Sequence, residues 1–149
     1  VIEASDPGQL PTGLEAALAA RARGAWSQEA AVWLLTGDDG MWLPRLEAGD
    51  FVKWIGDDHA MASVDWPAVW EVLDEMPDAD EPDPLRAGTT TSQLMVLRIA
   101  GALDFDGCPA VLAHRLPGLN EHDTRRVLHA MAWSARGRSY AEALGVLTA

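Results

Sequence analysis

The sequence predicts a mainly α fold, a compact multi-helix domain with a short β element around residues 41–64. Three observations carry the prediction. Runs with apolar residues at helical spacing follow good N-cap residues at Thr12, Ser27, Asp65, Thr90 and Asn120. The run Leu94 to Leu103 is apolar on all sides with Arg98 as its one charge, the pattern of a helix buried on most faces. With 149 residues and 48% apolar composition, the chain builds one core without staples.

Taken in order, Thr12 with Glu15 forms a capping box ahead of Leu14, Ala17 and Leu18, and Gly24 stops that helix. Ser27 is read as the cap of Gln28 to Thr36, which ends at Gly37. From Met41 to Val64 the pattern is mixed. Phe51 to Ile55 reads either as a helical turn capped by Asp50 or as a strand. As a strand it pairs with Ala60 to Val64 across Gly56 to His59, and Met41 to Leu43 is the other partner open to Ala60 to Val64. Asp65 then caps a helix with Pro67 in its first turn, placing Trp66, Val69, Trp70, Leu73 and Met76 on one face and Glu71, Asp74 and Glu75 on the other. Thr90 with Gln93 makes a second capping box, and the helix after it is expected to be central, with Leu94 and Leu97 fully buried and Arg98 paired. Pro109 fits the first turn of a short helix ending near Leu116. Asn120 caps a longer one to about Ala135, ahead of Gly137, and a last short helix covers Tyr140 to Leu147.

The segment Pro77 to Thr91 contains Pro77, Pro82 and Pro84 with four acids, which excludes a helix or central strand. The expected organisation is therefore a single domain, 1–149, of two helical lobes, 1–76 and 92–149, joined by an acidic Pro-rich connector, 77–91, which is the expected mobile segment. Eleven basic against 23 acidic residues give a net charge of −12, which disfavours nucleic acid and anionic membranes as whole-surface partners. The single Cys108 excludes an intramolecular disulfide and a multi-thiolate zinc site. The first residues lack a basic and then apolar leader pattern, so the expected compartment is the cytoplasm; the absence of an initial Met leaves a processed start open.

Thr91-Ser92, Leu97-Arg98-Ile99-Ala100, Gly118-Leu119-Asn120 and Val127-Leu128-His129-Ala130, with Val64-Asp65-Trp66 upstream, form a pattern spread over roughly half the chain. It resembles a helical module of actinobacterial proteins without an assigned function. The resemblance implies a mostly helical fold and no activity.

The sharpest candidate site lies after Asn120. At 100° per residue, His122, Arg125, Arg126, His129, Trp133 and Arg136 share one side, opposite Val127, Leu128, Met131 and Ala135. Such a stripe is either a solvated face with Trp133 covered, or a docking surface for an acidic partner or phosphates, since guanidinium forks pair with both. His122 and His129 are seven residues apart, about 10.5 Å along a helix, too far to share one zinc. His59 after Asp57-Asp58 reads as a polar turn. Asp104-Phe105-Asp106-Gly107 begins like a calcium loop but meets Arg115 at the twelfth position, where the loop needs Glu. Cys108 before Pro109 sits near a helix N-terminus, where a thiol is activated or serves as a small buried cap. Trp33 and Trp133 are the two tryptophans expected to reach the surface. Neither a phosphate loop nor a hydrolase motif is present, and no cofactor or metal is called for. The expected function is a non-catalytic protein-interaction module, accessory or regulatory, whose partner is another protein or a second copy of the chain. The alternative is a nucleic-acid-binding module using the basic face of helix 120–136, and third stands a hydrolase with an unrecognised site.

Overall fold

The computed structural model describes residues 12–37, 40–75, 83–105 and 116–148. Within them the chain forms α1 (Thr12–Ala22), α2 (Trp26–Thr36), α3 (Trp42–Ala48), β1 (Val52–Ile55), β2 (Met61–Val64), α4 (Trp66–Asp74), α5 (Thr91–Asp104), a 3-10 turn at Leu116–Gly118, α6 (Glu121–Arg136) and α7 (Arg138–Leu144). The fold is mainly helical, as the spacing of apolar residues predicts. The proposed helix at Pro109 and the residues Met76 and Cys108 lie outside the described residues.

Local chemistry sets most boundaries. Thr90 and Gln93 satisfy each other's amides in a complete capping box at the start of α5. Asp65 accepts from Ala68 N before α4, and Asn120 accepts from Asp123 N before α6. The expectation for Ser27 fails, because α2 starts two residues earlier, at Trp26 behind Ala25, without a side-chain cap. Glu29 supplies the acceptor instead, taking the Gly24 amide at 3.0 Å and closing the α1–α2 turn. Of the readings open for 41–64, the hairpin is found: β1 pairs antiparallel with β2 in the register Val52↔Val64 to Ile55↔Met61. Met41 to Leu43 leads into helix α3 and is not a strand. His59 ends the hairpin turn at φ 53° and stacks on Trp54, with centroids 5.2 Å apart.

The centre of the fold is α2, which packs against α1, α3, α5 and α6. Its buried face is Ala30, Ala31, Val32, Leu34 and Leu35, and the two alanines let neighbouring helices approach closely. The sequence places α5 at the centre, and it shares that role only in part: Leu97 is fully buried, whereas Leu94 is half-buried at the edge of the core. Counting charges alone misjudges α2, whose Glu29 is drawn into the turn while its aliphatic face is covered. Arg98 is paired as expected, with the Leu73 carbonyl at 3.2 Å, the Asp74 carboxylate and the Trp70 ring. On α5, Gly101 is the seat for two stacked indoles. A Cβ there would stand 2.5 Å from Trp70 Cζ2 and 2.7 Å from Trp66 Cε3.

Since α2 from the first lobe packs on α5 and α6 from the second, the two lobes share one core. Residues 77–82 of the connector lie outside the described residues. Its second half is pinned: Leu85 is fully buried, and Arg86 bonds Asp83 at 2.6 Å and donates to the carbonyls of Val72, Leu73 and Glu75 at the end of α4. Arg45 holds the same turn through the Pro84 and Ala87 carbonyls. Asp104, first residue of the rejected calcium pattern, instead ties three helices together by accepting from Arg21 at 2.8 Å and from Trp66 Nε1 at 2.6 Å.

Candidate functional site

Helix α6 is rotated relative to the orientation expected from its aliphatic residues. Its buried face is Asp123, Arg126, Val127, His129, Ala130 and Trp133, turned toward α2. Leu128 and Met131 stand outward, 49% and 43% exposed. The six-residue stripe is thus divided. Arg126, His129 and Trp133 lie inside the fold, His122 and Arg136 are exposed, and Arg125 is half-buried.

The buried members are held by specific bonds. Asn120 N donates to Ser92 Oγ at 3.0 Å, and Ser92 Oγ donates to Asp123 Oδ2 at 2.5 Å. Asp123 Oδ1 accepts from Arg126 Nη1 at 3.3 Å, and Arg126 Nη2 reaches across to the Leu34 carbonyl at 2.7 Å. That carbonyl lies in the last turn of α2, where it otherwise accepts only the long 3.4 Å bond from Gly37 N and where a cation is favoured. Gly37 leaves room for the guanidinium, since a Cβ at that position would collide with it. The Trp33 ring faces the same guanidinium at 5.5 Å. His129 stands between indoles, 4.7 Å from the Trp33 centroid and edge-on to Trp133 at 6.2 Å. Burial lowers its pKa below the ordinary 6.5; Glu142 opposes this and Arg138 adds to it. Trp133 Nε1 donates to Glu29 Oε1 at 3.3 Å. Neither Trp133 nor Trp33 is an open surface tryptophan; the exposed one is Trp26, 50% accessible, beside Gly137. Gly137 adopts φ 94° and ψ 164° between α6 and α7, a conformation left essentially to glycine.

The outer members border a different surface. Arg125 pairs with Glu121 at 3.1 Å and donates to the Val146 carbonyl, while the Arg136 guanidinium lies 5.4 Å over the Tyr140 ring. These two contacts tie α7 and the following turn alongside α6. Leu128 and Met131 on α6, Tyr140 and Leu144 on α7, and Leu147 in the turn after it are each at least 40% exposed. The spacing of Leu128 from Met131 and of Tyr140 from Leu144 is a helical one that reading the stripe alone overlooks.

Beside Trp133 the packing opens into a cleft of about 410 Å³. Glu15 and Ala19 of α1 form one side, with Arg23 just beyond the helix. From α2 come Glu29, Val32 and Trp33, and Trp133 with Arg138 closes the far end. The Trp33 and Trp133 rings meet at 52° with centroids 6.2 Å apart. The one hydroxyl of the lining, Thr36 Oγ1, is spent on the Trp33 carbonyl. Among the described residues of this wall no nucleophile is paired with a base. Among the described residues no set of His, Cys, Asp or Glu side chains is grouped as a metal site, and no helix is long and apolar enough to cross a membrane.

Comparison of the chain with protein-family models, with curated proteins and with solved structures gives no match.

Proposed function

We propose that the protein is a non-catalytic interaction module, accessory or regulatory, that docks another protein on the outer face of α6 and α7. The observation that carries this reading is the exposure of five large apolar side chains, Leu128 and Met131 on α6, Tyr140 and Leu144 on α7, and Leu147 in the turn after it. Clustered exposed apolar groups with a polar rim are the usual character of a protein-binding patch. Arg125 and Arg136 contact α7 and the turn after it. The partner that fits is an amphipathic helix whose apolar ridge is flanked by carboxylates. Phosphate binding is the weaker alternative, because Arg126 is turned inward, Arg125 carries a carboxylate partner, and the chain is strongly acidic. The expected compartment remains the cytoplasm.

The test is capture from lysate of the source cells followed by measurement with the purified partner, using the wild type and the double variant Leu128→Asp, Met131→Asp. Both positions are solvent-facing, so the variant should keep its melting temperature while partner affinity falls by at least about a hundredfold, the loss expected for two hot-spot positions. Undiminished affinity in the double variant would overturn the reading. A parallel titration with duplex DNA at two salt concentrations decides the alternative, since phosphate binding weakens steeply with salt.

A further inference from the structure

We propose that the cleft between α1, α2 and the α6–α7 junction is a second, independent site that binds small aromatic carboxylates. Its volume of about 410 Å³ lies within the range of roughly 300–1,000 Å³ typical of small-molecule sites. Two indoles build its walls. Trp33 and Trp133 are tilted at 52° to each other with centroids 6.2 Å apart, so the wall they line is aromatic and suits a ring in a tilted rather than directly stacked arrangement.

These walls are fixed before any ligand arrives. Trp133 is held at Nε1 by Glu29, which is itself fixed by the Gly24 amide, and the Arg138 guanidinium covers the Trp133 ring at 5.1 Å. Trp33 is braced by His129. A site that needs no ordering loses less free energy on binding.

Charge selects the ligand. Arg23 at the α1–α2 turn and Arg138 at the start of α7 line the cleft together with the carboxylates Glu15 and Glu29, and the two Glu29 oxygens already accept from Trp133 and Gly24. Arg138 uses Nε on Glu142, and among the described residues neither its terminal nitrogens nor Arg23 have a hydrogen-bond or ion-pair partner. These two guanidiniums therefore favour a planar anion, which a guanidinium fork matches. Glu15 stands toward the other end of the α1 wall, about 10 Å along the helix from Ala22. Its negative charge repels a carboxylate placed there, so the anion is directed to Arg23 and Arg138 and the ring to the indoles.

The probes are 3-phenylpropionate and its neutral and cationic counterparts, 3-phenylpropanol and 3-phenylpropylamine. Binding is followed by the indole N–H resonances of Trp33 and Trp133. Saturable shifts are expected with the acid, weaker binding of the alcohol and weakest of the amine. Arg23→Gln with Arg138→Gln should reduce the acid's affinity by about tenfold, the worth of one lost charge-assisted hydrogen bond. Arg23→Gln alone, at an exposed position clear of Trp133, should lower it in the same direction without altering the melting temperature. Equal binding of acid and alcohol, affinity unchanged in both Arg variants, or no saturable shift up to about 10 mM, where a ligand of this size should register, would overturn the proposal. Because the double variant Leu128→Asp, Met131→Asp leaves the cleft intact, it should bind 3-phenylpropionate as the wild type does, whatever becomes of the docking face.

Discussion

Replacing Arg126 with Ala should be among the costliest substitutions in the chain, although sequence reading takes this residue for a surface cation. The side chain is 7% exposed and its partner Asp123 2%. Truncation leaves the Asp123 carboxylate buried with Ser92 Oγ as its remaining side-chain donor, and it strips the Leu34 carbonyl of the donor at 2.7 Å. Removing one member of a buried pair costs about 3–5 kcal/mol, because the other charge stays desolvated. For a chain of this length each kcal/mol moves the melting temperature by roughly 2–4 °C, so a fall of about 6 °C or more is expected. Arg125→Ala is the internal control: it removes a pair whose acid, Glu121, is 83% exposed, and such pairs contribute at most about 1 kcal/mol. Chemical denaturation of both variants gives the comparison. Combining Arg126→Met with Asp123→Asn should recover part of the loss, since no lone charge is left behind. An Arg126→Ala variant no less stable than Arg125→Ala would refute the reasoning.

Leu97→Ala empties a fully buried site on α5 and should cost about 2–5 kcal/mol, read from the urea midpoint. Gly101→Ala should also destabilise, by about 1–3 kcal/mol through overpacking, with a change in near-ultraviolet dichroism as Trp66 and Trp70 shift; a stabilised variant would show that the indole seat is misread. His129 sets a pH dependence. Its folded pKa lies below the ordinary 6.5, so the unfolded chain binds the proton more readily; the stability tied to the neutral ring is full above about pH 6.5 and lost as pH falls through the folded pKa. His129→Phe should flatten that acid-side decline, and an imidazole resonance titrating above 6.5 would contradict the assignment.

What was legible in the sequence was local. Asp65, Thr90 and Asn120 cap helices because a short acceptor three residues ahead of a free amide needs nothing from the rest of the chain. The Trp66, Val69, Trp70, Leu73 face follows equally from short-range pattern, whereas the hairpin is one of the readings that pattern left open for 41–64. The rotation of α6 did not. A helical projection assigns residues to faces, but which face is buried depends on what meets it, and here that is the Leu34 carbonyl, 92 residues away. Arginine, histidine and tryptophan present long apolar bodies with polar tips, so they fill an interface once each tip finds a partner. The cleft was illegible for the same reason, since Glu29 and Trp133 meet across 104 residues. Trp33 and Trp133 were singled out in the sequence, yet they belong together as walls and not as separate surface anchors.

The polar interior of α6 and the apolar exterior of the same helix have one cause. Turned the other way, α6 would bury Leu128 and Met131, each worth about 1.5–3 kcal/mol when fully covered. That rotation would leave the Leu34 carbonyl with only the long bond from the Gly37 amide and break the Ser92, Asp123 and Arg126 chain, whose members are satisfied only together. The network therefore selects a rotation that leaves aliphatic surface uncovered, and α7, with seven residues, is too short to hide it. On the proposed reading a docked helix covers that surface and recovers the forgone burial. The residues that make the stripe conspicuous in the sequence then act from inside, by holding Leu128 and Met131 outward.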